Sequence, residues 1–352
     1  MTRSKSALQT ASEVCTPSSF KLAVIISCYN YEAFVEHAIR SALYQGRQDC
    51  EIVVVDDGST DGSWDVISRF GVTAFKVENG GQLAACLYGL DRTSAPFVLF
   101  LDADDQLKPG SLGTIIDLLD SGVAKLQFPL TLIDADSNKI DGAPSTAETS
   151  RCRVELVERV LRSGVYKTPP TSGNVFRRDV CQLLREVDYD RAVDGVILFA
   201  APFFGDVVSI SEELGCYRIH GRNDSGLGRM PDEKSLKRDI DRFVARMEHL
   251  RNIVQRYLPD KKLVDTRDTF YFRDRSLYLD IVSGRRPLLS SLPKLIFILA
   301  HEPLSIRNKV TMAVFFFLAS VLPNDKRKAL LAYRLKTGPR SVFGFARKLF
   351  GR

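Results

Sequence analysis

Four short apolar runs limit the folds open to this chain, because each is followed at once by polar residues and then by a helical pattern. The runs do not alternate between apolar and polar residues, so we expect strands that are buried on both faces. They are KLAVIIS (21–27), EIVVV (51–55), TAFKV (73–77) and FVLFL (97–101). Such strands joined by amphipathic helices are typical of βαβ units. The pattern predicts an α/β domain with a Rossmann-like, mostly parallel central sheet and helices on both faces.

Polar side chains stand at the end of all four predicted strands. In sheets of this kind, ligands bind beyond the carboxyl ends of the strands. We therefore expect one crevice to be lined by the residues that follow the four runs. They are Ser27 and Tyr29, Asp56 and Asp57, Asn79, and Asp102 with Asp104.

Three carboxylates, those of Asp102, Asp104 and Asp105, directly follow the fourth apolar run. Unpaired carboxylates at the end of a buried strand repel one another and resist desolvation, so a divalent cation is a natural partner. An EF-hand loop starting at Asp102 is excluded, since its sixth and twelfth positions hold Leu107 and Gly113 in place of Gly and Glu. The remaining alternative is a solvated loop in which Asp105 only turns the chain.

Four motifs, in order and in spacing, carry a resemblance to a known family. CYN (28–30), VVVDDGSTDGS (53–63), ENGGQ (78–82) and FLDADD (100–105) resemble the inverting family-2 glycosyltransferases of the GT-A fold. The resemblance covers about residues 20–225. It implies a GT-A domain that moves a sugar from a nucleotide-diphosphate donor to an acceptor hydroxyl.

The resemblance also implies roles for the residues at the strand ends. Asp104 would be the direct ligand of Mn²⁺ or Mg²⁺, and Asp102 would contact the donor ribose or sugar beside the metal. Hard oxygen ligands suit either ion, which would neutralise the departing diphosphate. Asp57 would read the base, with uracil favoured. The other nucleotide-binding positions that it implies are Ser27, Tyr29, Asn79 and Gln82.

An inverting transfer also requires a base that deprotonates the attacking hydroxyl. Family members often carry an acidic pair on a helix after a segment like SGNVFRRDV (172–180). Here the pattern predicts a mostly apolar helix over 190–201, and the segment AVDGVILFAAPFFG (192–205) carries one acid, Asp194. An isolated acid on an apolar face needs a reason, so we assign it as the base. A helix-capping role is the alternative, in which case Asp188 or Asp190 would be the next candidates.

The segment LGCYRIHGRNDS (214–225) resembles the Tyr-Arg-x-His element that closes the family's site. Arg218 would then contact the donor diphosphate and His220 would join the metal ligands. A strand-end histidine that is satisfied by backbone groups is the alternative. The Gln-x-x-Arg-Trp element of processive synthases has no counterpart, because the only tryptophan is Trp64. We therefore expect addition of a single sugar, with a silent nucleotide-sugar-binding protein or a nucleotidyltransferase as the alternatives.

Composition places the protein in the cytoplasm and its positive charge near the end of the chain. Seven cysteines without a CxxC pair fit reduced thiols.

Residues 324–352 hold nine Lys or Arg and one acid, a net charge of +8, whereas the whole chain carries +6. This stretch interleaves Phe and Leu with Arg and Lys, as segments at membrane interfaces do. It predicts peripheral contact with anionic lipid at the inner face of the cell membrane, or alternatively a solvated tail. No nucleic-acid recognition motif is present.

The organisation that we expect has four segments. They are a disordered leader (1–19), a GT-A domain (20–225), a helical region (226–323) and a basic amphipathic tail (324–352). Within the helical region, residues 310–322 are thirteen uncharged residues, short of the ~20 that span a bilayer. That stretch is either a buried helix or a membrane-inserted one. The acceptor that we expect is a glycan or a lipid-linked sugar.

Overall fold

The computed structural model describes residues 20–140, 148–221 and 230–335. The strands are β1 (Leu22–Cys28), β2 (Cys50–Asp56), β3 (Thr73–Lys76), β4 (Phe97–Asp102), β5 (Gln106–Leu107), β6 (Val123–Gln127), β7 (Leu130–Ile133), β8 (Ser150–Cys152), β9 (Asn174–Arg177), β10 (Asp206–Ser209) and β11 (Gly215–Arg218). The α-helices are α1 (Val35–Leu43), α2 (Ser63–Ile67), α3 (Gln82–Leu90), α4 (Ser111–Asp117), α5 (Val154–Ser163), α6 (Arg178–Cys181), α7 (Val196–Phe204), α8 (Glu233–Tyr257), α9 (Phe270–Val282), α10 (Leu292–Ala300), α11 (Ile306–Val321) and α12 (Asn324–Leu335).

Eight strands form the central sheet in the order β3-β2-β1-β4-β9-β6-β10-β8. The four strands predicted from the apolar runs lie side by side and parallel, and β9 runs antiparallel between β4 and β6. A smaller sheet, β5-β11-β7, stands beside the end of β4. The prediction of an α/β fold with a mostly parallel sheet is confirmed.

The lack of alternation in the apolar runs follows from a core on each face of the sheet. Along β1, Ala23 and Ile25 belong to one buried cluster, whereas Leu22, Val24 and Ile26 belong to the other. Successive side chains of a strand point to opposite faces, so a strand covered by helices on both sides must be apolar throughout.

The C-terminal helices add a further apolar cluster. Leu236 of α8 lies in this cluster with Phe316 and Leu331, whereas Phe243 and Met247 of the same helix pack into the core of the central sheet. Helix α8 is therefore shared between the two cores. The predicted boundary near residue 226 falls outside the described residues, and the division into domains stays a prediction.

The structure differs from the sequence prediction around Asp194. The helix predicted over 190–201 instead begins at Val196, so Asp194 lies in the segment before it. The predicted tail is also divided. Its first part, Asn324–Leu335, is helix α12, in which Leu330 and Leu331 are buried. The leader over 1–19 and residues 336–352 lie outside the described part of the chain.

The uncharged stretch 310–322 lies mostly in α11. Phe315 and Phe316 are buried against neighbouring helices, whereas Val310, Val314 and Phe317 are exposed. Among the described helices, none has both the length and the apolar character required to cross a bilayer.

Candidate active site

Three aspartates converge where β4 ends. The N–H of Asp105 donates a 3.0 Å hydrogen bond to the carbonyl of Asp102, which turns the chain sharply after the strand. One carboxylate oxygen from each of Asp102, Asp104 and Asp105 lies within 4.8 Å of the other two. A donor set made only of carboxylate oxygens is what Mg²⁺ and Mn²⁺ prefer. The sequence already grouped Asp105 with these two carboxylates, but the metal ligands predicted from the resemblance were Asp102, Asp104 and His220; the geometry makes Asp105 a further candidate.

The electrostatics of this group favour a bound cation. Burial, followed by the charges of Asp105 and Asp104, holds the pKa of the Asp102 carboxyl well above its usual range. Burial and the charge of Asp104 raise the pKa of Asp105 to about 7. The Oδ2 atom of Asp105 is buried and has no hydrogen-bond partner among the described residues. Buried carboxylates that repel one another bind a divalent cation readily, since the cation removes the repulsion.

The smaller sheet holds the aspartate loop in place through Arg218. Its backbone N–H donates to Asp105 Oδ1 at 3.0 Å, and its Nε donates to the carbonyl of Asp104 at 2.9 Å. The guanidinium also donates to the carbonyls of Asp134 and Ala135 and is fully buried. These contacts give Arg218 a positioning role in the loop. The predicted contact of Arg218 with the donor stays a prediction.

His220 lies directly against the aspartate group. Its Nε2 is 2.9 Å from Asp104 Oδ2, and its ring packs on Phe34 with the ring centroids 4.9 Å apart. The aromatic contact orients the imidazole, and its Nε2 faces the Asp104 carboxylate. The predicted role as a metal ligand fits this placement.

The loop after β3 is organised by Asp57. Its two carboxylate oxygens accept the N–H groups of Gly80 and Gly81, each at 2.8 Å, and the Asn79 side chain donates to its carbonyl at 2.9 Å. The neighbouring Gly58 has φ +73°, and a Cβ there would lie 2.9 Å from the Asn79 nitrogen. The DDG motif and the ENGG motif are therefore one structural unit.

The first motif is tied to the second by hydrogen bonds between their loops. The N–H of Asn30 donates to Ser59 Oγ at 3.0 Å, and Asn30 Oδ1 accepts the N–H of Thr60 at 2.8 Å. Ser27 lies opposite Asp102 in the parallel register of β1 and β4. Tyr29 is 45% exposed at the rim. The predicted nucleoside-binding residues are thus near one edge of the sheet.

Gln82 joins the aspartate group to the segment that holds Asp194. Its Nε2 donates to Asp102 Oδ1 at 2.6 Å, and its Oε1 accepts the N–H of Val193 at 3.2 Å. The Asp194 carboxylate accepts a hydrogen bond from the Thr171 side chain, and its charge contributes to the raised pKa of Asp102. Burial raises the pKa of Asp194 itself. The cap residue of α7 is Gly195 and shows no side-chain capping bond, so the helix-capping alternative for Asp194 is not supported.

Lys125 of β6 is a buried cation that sequence reasoning missed. Its Nζ donates to Gln127 Oε1, Thr168 Oγ1 and the Tyr166 hydroxyl, at 2.9, 2.8 and 3.2 Å. Burial lowers its pKa well below the usual value, while the charge of Asp194 opposes that shift. The one available signal was a lysine inside the apolar run VAKLQF (123–128).

Comparison with known proteins supports the family that the four motifs resemble. The family model described as glycosyl transferase family 2 matches residues 23–165, which include all four strand-end motifs. An uncharacterized glycosyltransferase of Nostoc sp. is 37% identical over 215 residues. Residues 23–165 are thus a glycosyl transferase family 2 domain. The resemblance inferred from the motifs is confirmed.

The relatives within family 2 are matched over part of their length. The alignment with the Nostoc protein covers 58% of this chain and 66% of that protein. A GalNAc(5)-diNAcBac-PP-undecaprenol beta-1,3-glucosyltransferase of Campylobacter jejuni is 34% identical over 125 residues, which cover 34% of this chain and 40% of that enzyme. The chain thus spans less than two thirds of these relatives.

A solved structure shows the same fold over nearly the whole chain. Residues 1–349 of S. aureus TarS, in a complex with UDP, superpose with a TM-score of 0.50 and 16% sequence identity, covering 91% of this chain and 93% of that one. At this identity the likeness concerns the fold. The GT-A prediction is confirmed.

Proposed function

We propose that this family-2 protein transfers one sugar from a nucleotide-diphosphate donor to an acceptor hydroxyl, with inversion at the anomeric carbon. The observation that carries the proposal is the group formed by Asp102, Asp104 and Asp105 beside the loop that Asp57 organises. A diphosphate-binding metal site next to a nucleoside site is what cleavage of a nucleotide sugar requires.

The donor end of the crevice would hold the metal and the nucleotide. Asp102 and Asp104 would bind Mn²⁺ or Mg²⁺, with His220 beside them. The ion supplies Lewis-acid stabilisation of the departing diphosphate. Asp57 and Asn79 shape the loop that faces the base, and Gln82 fixes one oxygen of Asp102. UDP is the favoured nucleotide, because TarS of the same fold was crystallised with UDP and with UDP-GlcNAc.

On the acceptor side, Asp194 would take the proton from the attacking hydroxyl. Its raised pKa brings the carboxyl closer to the operating pH, which suits a general base. Thr171 and the Gln82–Val193 contact hold the segment at the crevice edge. A catalytically silent nucleotide-sugar-binding protein would not need an acid at this position.

The acceptor that we favour is a glycan or a lipid-linked sugar. The Campylobacter relative acts on an undecaprenol-diphosphate-linked glycan, as its name states. We place the protein in the cytoplasm, in peripheral contact with anionic lipid, with the basic residues of 324–352 contributing to that contact.

A panel of nucleotide sugars tests the proposal and its metal site. With Mn²⁺ or Mg²⁺ present, one donor should release a nucleoside diphosphate in the presence of acceptor, and a chelator should stop it. Asp104→Asn should lower this release by at least about 100-fold, because it removes a charged metal ligand. Asp65→Asn, at an exposed acid of α2, is the matched control and should behave as the wild type.

Two outcomes would decide against the proposal. Binding of a donor with no release of nucleoside diphosphate under any acceptor would favour a silent binding protein. Release of pyrophosphate from a nucleoside triphosphate would favour a nucleotidyltransferase.

A further inference from the structure

One face of helix α11 is apolar and exposed. Five large side chains on it are spaced four, four, three and four residues apart, which places them on a single helical face. They are Ile306, Val310, Val314, Phe317 and Val321, exposed by 81, 57, 49, 52 and 37%. The buried residues Phe315, Phe316 and Ala319 point elsewhere, into the cluster that α11 shares with α9, α10 and α12. The helix is thus held by one side and bare on another.

The neighbouring segment exposes more apolar surface. Helix α10, which packs on α11, exposes Phe297 by 66% and Ile296 by 38%, and the turn before it exposes Leu288 by 72%. Scattered apolar residues are ordinary on a protein surface, but an aligned stripe of this length marks an interaction site.

The charge around this surface indicates what it contacts. Residues 284–324 contain five Lys or Arg and one acid, Glu302; two of the five, Arg285 and Lys294, form ion pairs with Asp280 and Asp268, which lie before this range. That acid is only partly exposed and lies 3.5 Å from Arg159 of α5. Arg307 and Lys309 occupy the first turn of α11, next to the apolar stripe. An apolar face with basic side chains around it is the pattern of helices that lie in the interface of an anionic bilayer.

We propose that the exposed face of α11 is a docking surface for an anionic lipid bilayer, with the helix lying in the plane of the interface. The stripe would enter the boundary between headgroups and acyl chains, while Arg307 and the other basic residues would meet lipid phosphates. This inference gives the proposed membrane contact a surface in the folded protein and does not depend on sugar transfer.

Charge argues against two other occupants of this face. A second copy of the chain would bring two surfaces of equal positive charge together. Residues 336–352 contain five Lys or Arg and no acid, so the basic surroundings would repel them as well. An anionic lipid surface is complementary to both.

Vesicle flotation of the full-length protein tests the proposal. Wild-type protein should bind vesicles of mixed phosphatidylcholine and phosphatidylglycerol, and should bind pure phosphatidylcholine much less. Val314→Ser with Phe317→Ser should weaken binding to the mixed vesicles about tenfold or more, because two half-exposed apolar side chains no longer enter the bilayer. The matched control is Val154→Ser with Val244→Ser, at residues 67 and 41% exposed on α5 and α8, and should leave binding unchanged.

Several results would overturn the proposal. Equal binding by the α11 double variant and the wild type would exclude this face and leave the basic tail as the anchor. A dimer that sedimentation detects in the wild type and that the α11 variant loses would assign the face to a second copy. Nucleoside-diphosphate release from the same preparations separates the two proposals, since the α11 variant should keep it with a soluble acceptor. If the wild type itself releases no nucleoside diphosphate, the result would count against the proposed sugar transfer and not against the lipid-docking surface.

Discussion

The acids of the crevice are alike in chemistry and differ because of what surrounds them. Both carboxylate oxygens of Asp57 accept backbone N–H groups, so this residue orders the loop after β3. Asp105 is fully buried with one oxygen lacking a hydrogen-bond partner among the described residues, so it adds charge to the group of three aspartates. Asp194 is partly buried and has a hydroxyl partner, so it can exchange a proton with a ligand. Local surroundings, more than residue type, set each role.

Replacing Asp194 with asparagine tests its role as the base. Asp194→Asn keeps the shape of the side chain and can keep the contact with Thr171, but it cannot accept the proton of the acceptor. We expect kcat to fall by ~10²–10⁴-fold while the donor KM barely changes. Steady-state kinetics with varied donor would measure both. Asp188→Asn, at a nearby exposed acid, is the control; normal turnover by Asp194→Asn and loss in Asp188→Asn would move the base.

The buried Lys125 should make stability depend on pH. Its pKa is lowered in the folded protein, so the unfolded state binds more protons between the folded pKa and the ordinary value of about 10.4. The free energy of unfolding should therefore rise with pH across that window. Lys125→Met should lose this part of the rise. Urea unfolding from about pH 7 to pH 10 would measure it, and identical slopes for both proteins would contradict the shift.

At the level of elements, the crevice is built from loops that short contacts lock to one another. Asn30 joins the loops after β1 and β2, Asp57 joins those after β2 and β3, and Gln82 joins the start of α3 to β4. Parallel strands bring these loops to one edge, but the side-chain contacts fix their relative positions. A substitution that moves one of these loops should therefore also change donor binding.

Alanine substitutions at two glycines with positive φ should distinguish a loss of stability from a loss of UDP binding. Gly81 has φ +92° and a Cβ there would lie 3.1 Å from the Arg191 side chain, whereas Gly46 has φ +66° with nothing within 4 Å. Gly81→Ala and Gly46→Ala should each cost about 1–3 kcal/mol of stability from the backbone alone. Only Gly81→Ala should weaken UDP binding, since the Gly81 N–H holds Asp57. Unfolding and UDP titrations of the pair would show this; equal UDP affinity would refute the coupling.

At the scale of the whole molecule, the C-terminal helices are part of the folded protein and meet the catalytic core along α8. Leu236 and Phe243, two turns apart, enter different apolar clusters. Arg327 of α12 is buried and donates to the carbonyl of Arg285 at 2.8 Å. The first part of the basic segment is therefore held by packing, which a purely solvated tail would lack.

Two truncations should show whether α12, and not the residues after it, contributes to the stability of the fold. A protein that ends at Leu335 keeps α12 and should unfold at nearly the wild-type temperature. Ending at Pro323 removes the buried Leu330 and Leu331, at a cost of about 1.5–3 kcal/mol for each. Thermal unfolding would measure the difference. Equal stability of the two truncated proteins would mean that α12 does not contribute to the C-terminal core.

The sequence by itself determined the parallel strands, their polar ends and the group of aspartates after β4, because apolar periodicity and strand ends are local features of the chain. Family membership followed from the motifs for the same reason. Only the tertiary structure decided that Asp194 precedes its helix, that Arg218 braces the aspartate loop, that Lys125 is buried near Asp194 and that α11 leaves one face bare. Each of these depends on what residues distant in the chain pack against, since burial and hydrogen-bond partners are set by the whole fold.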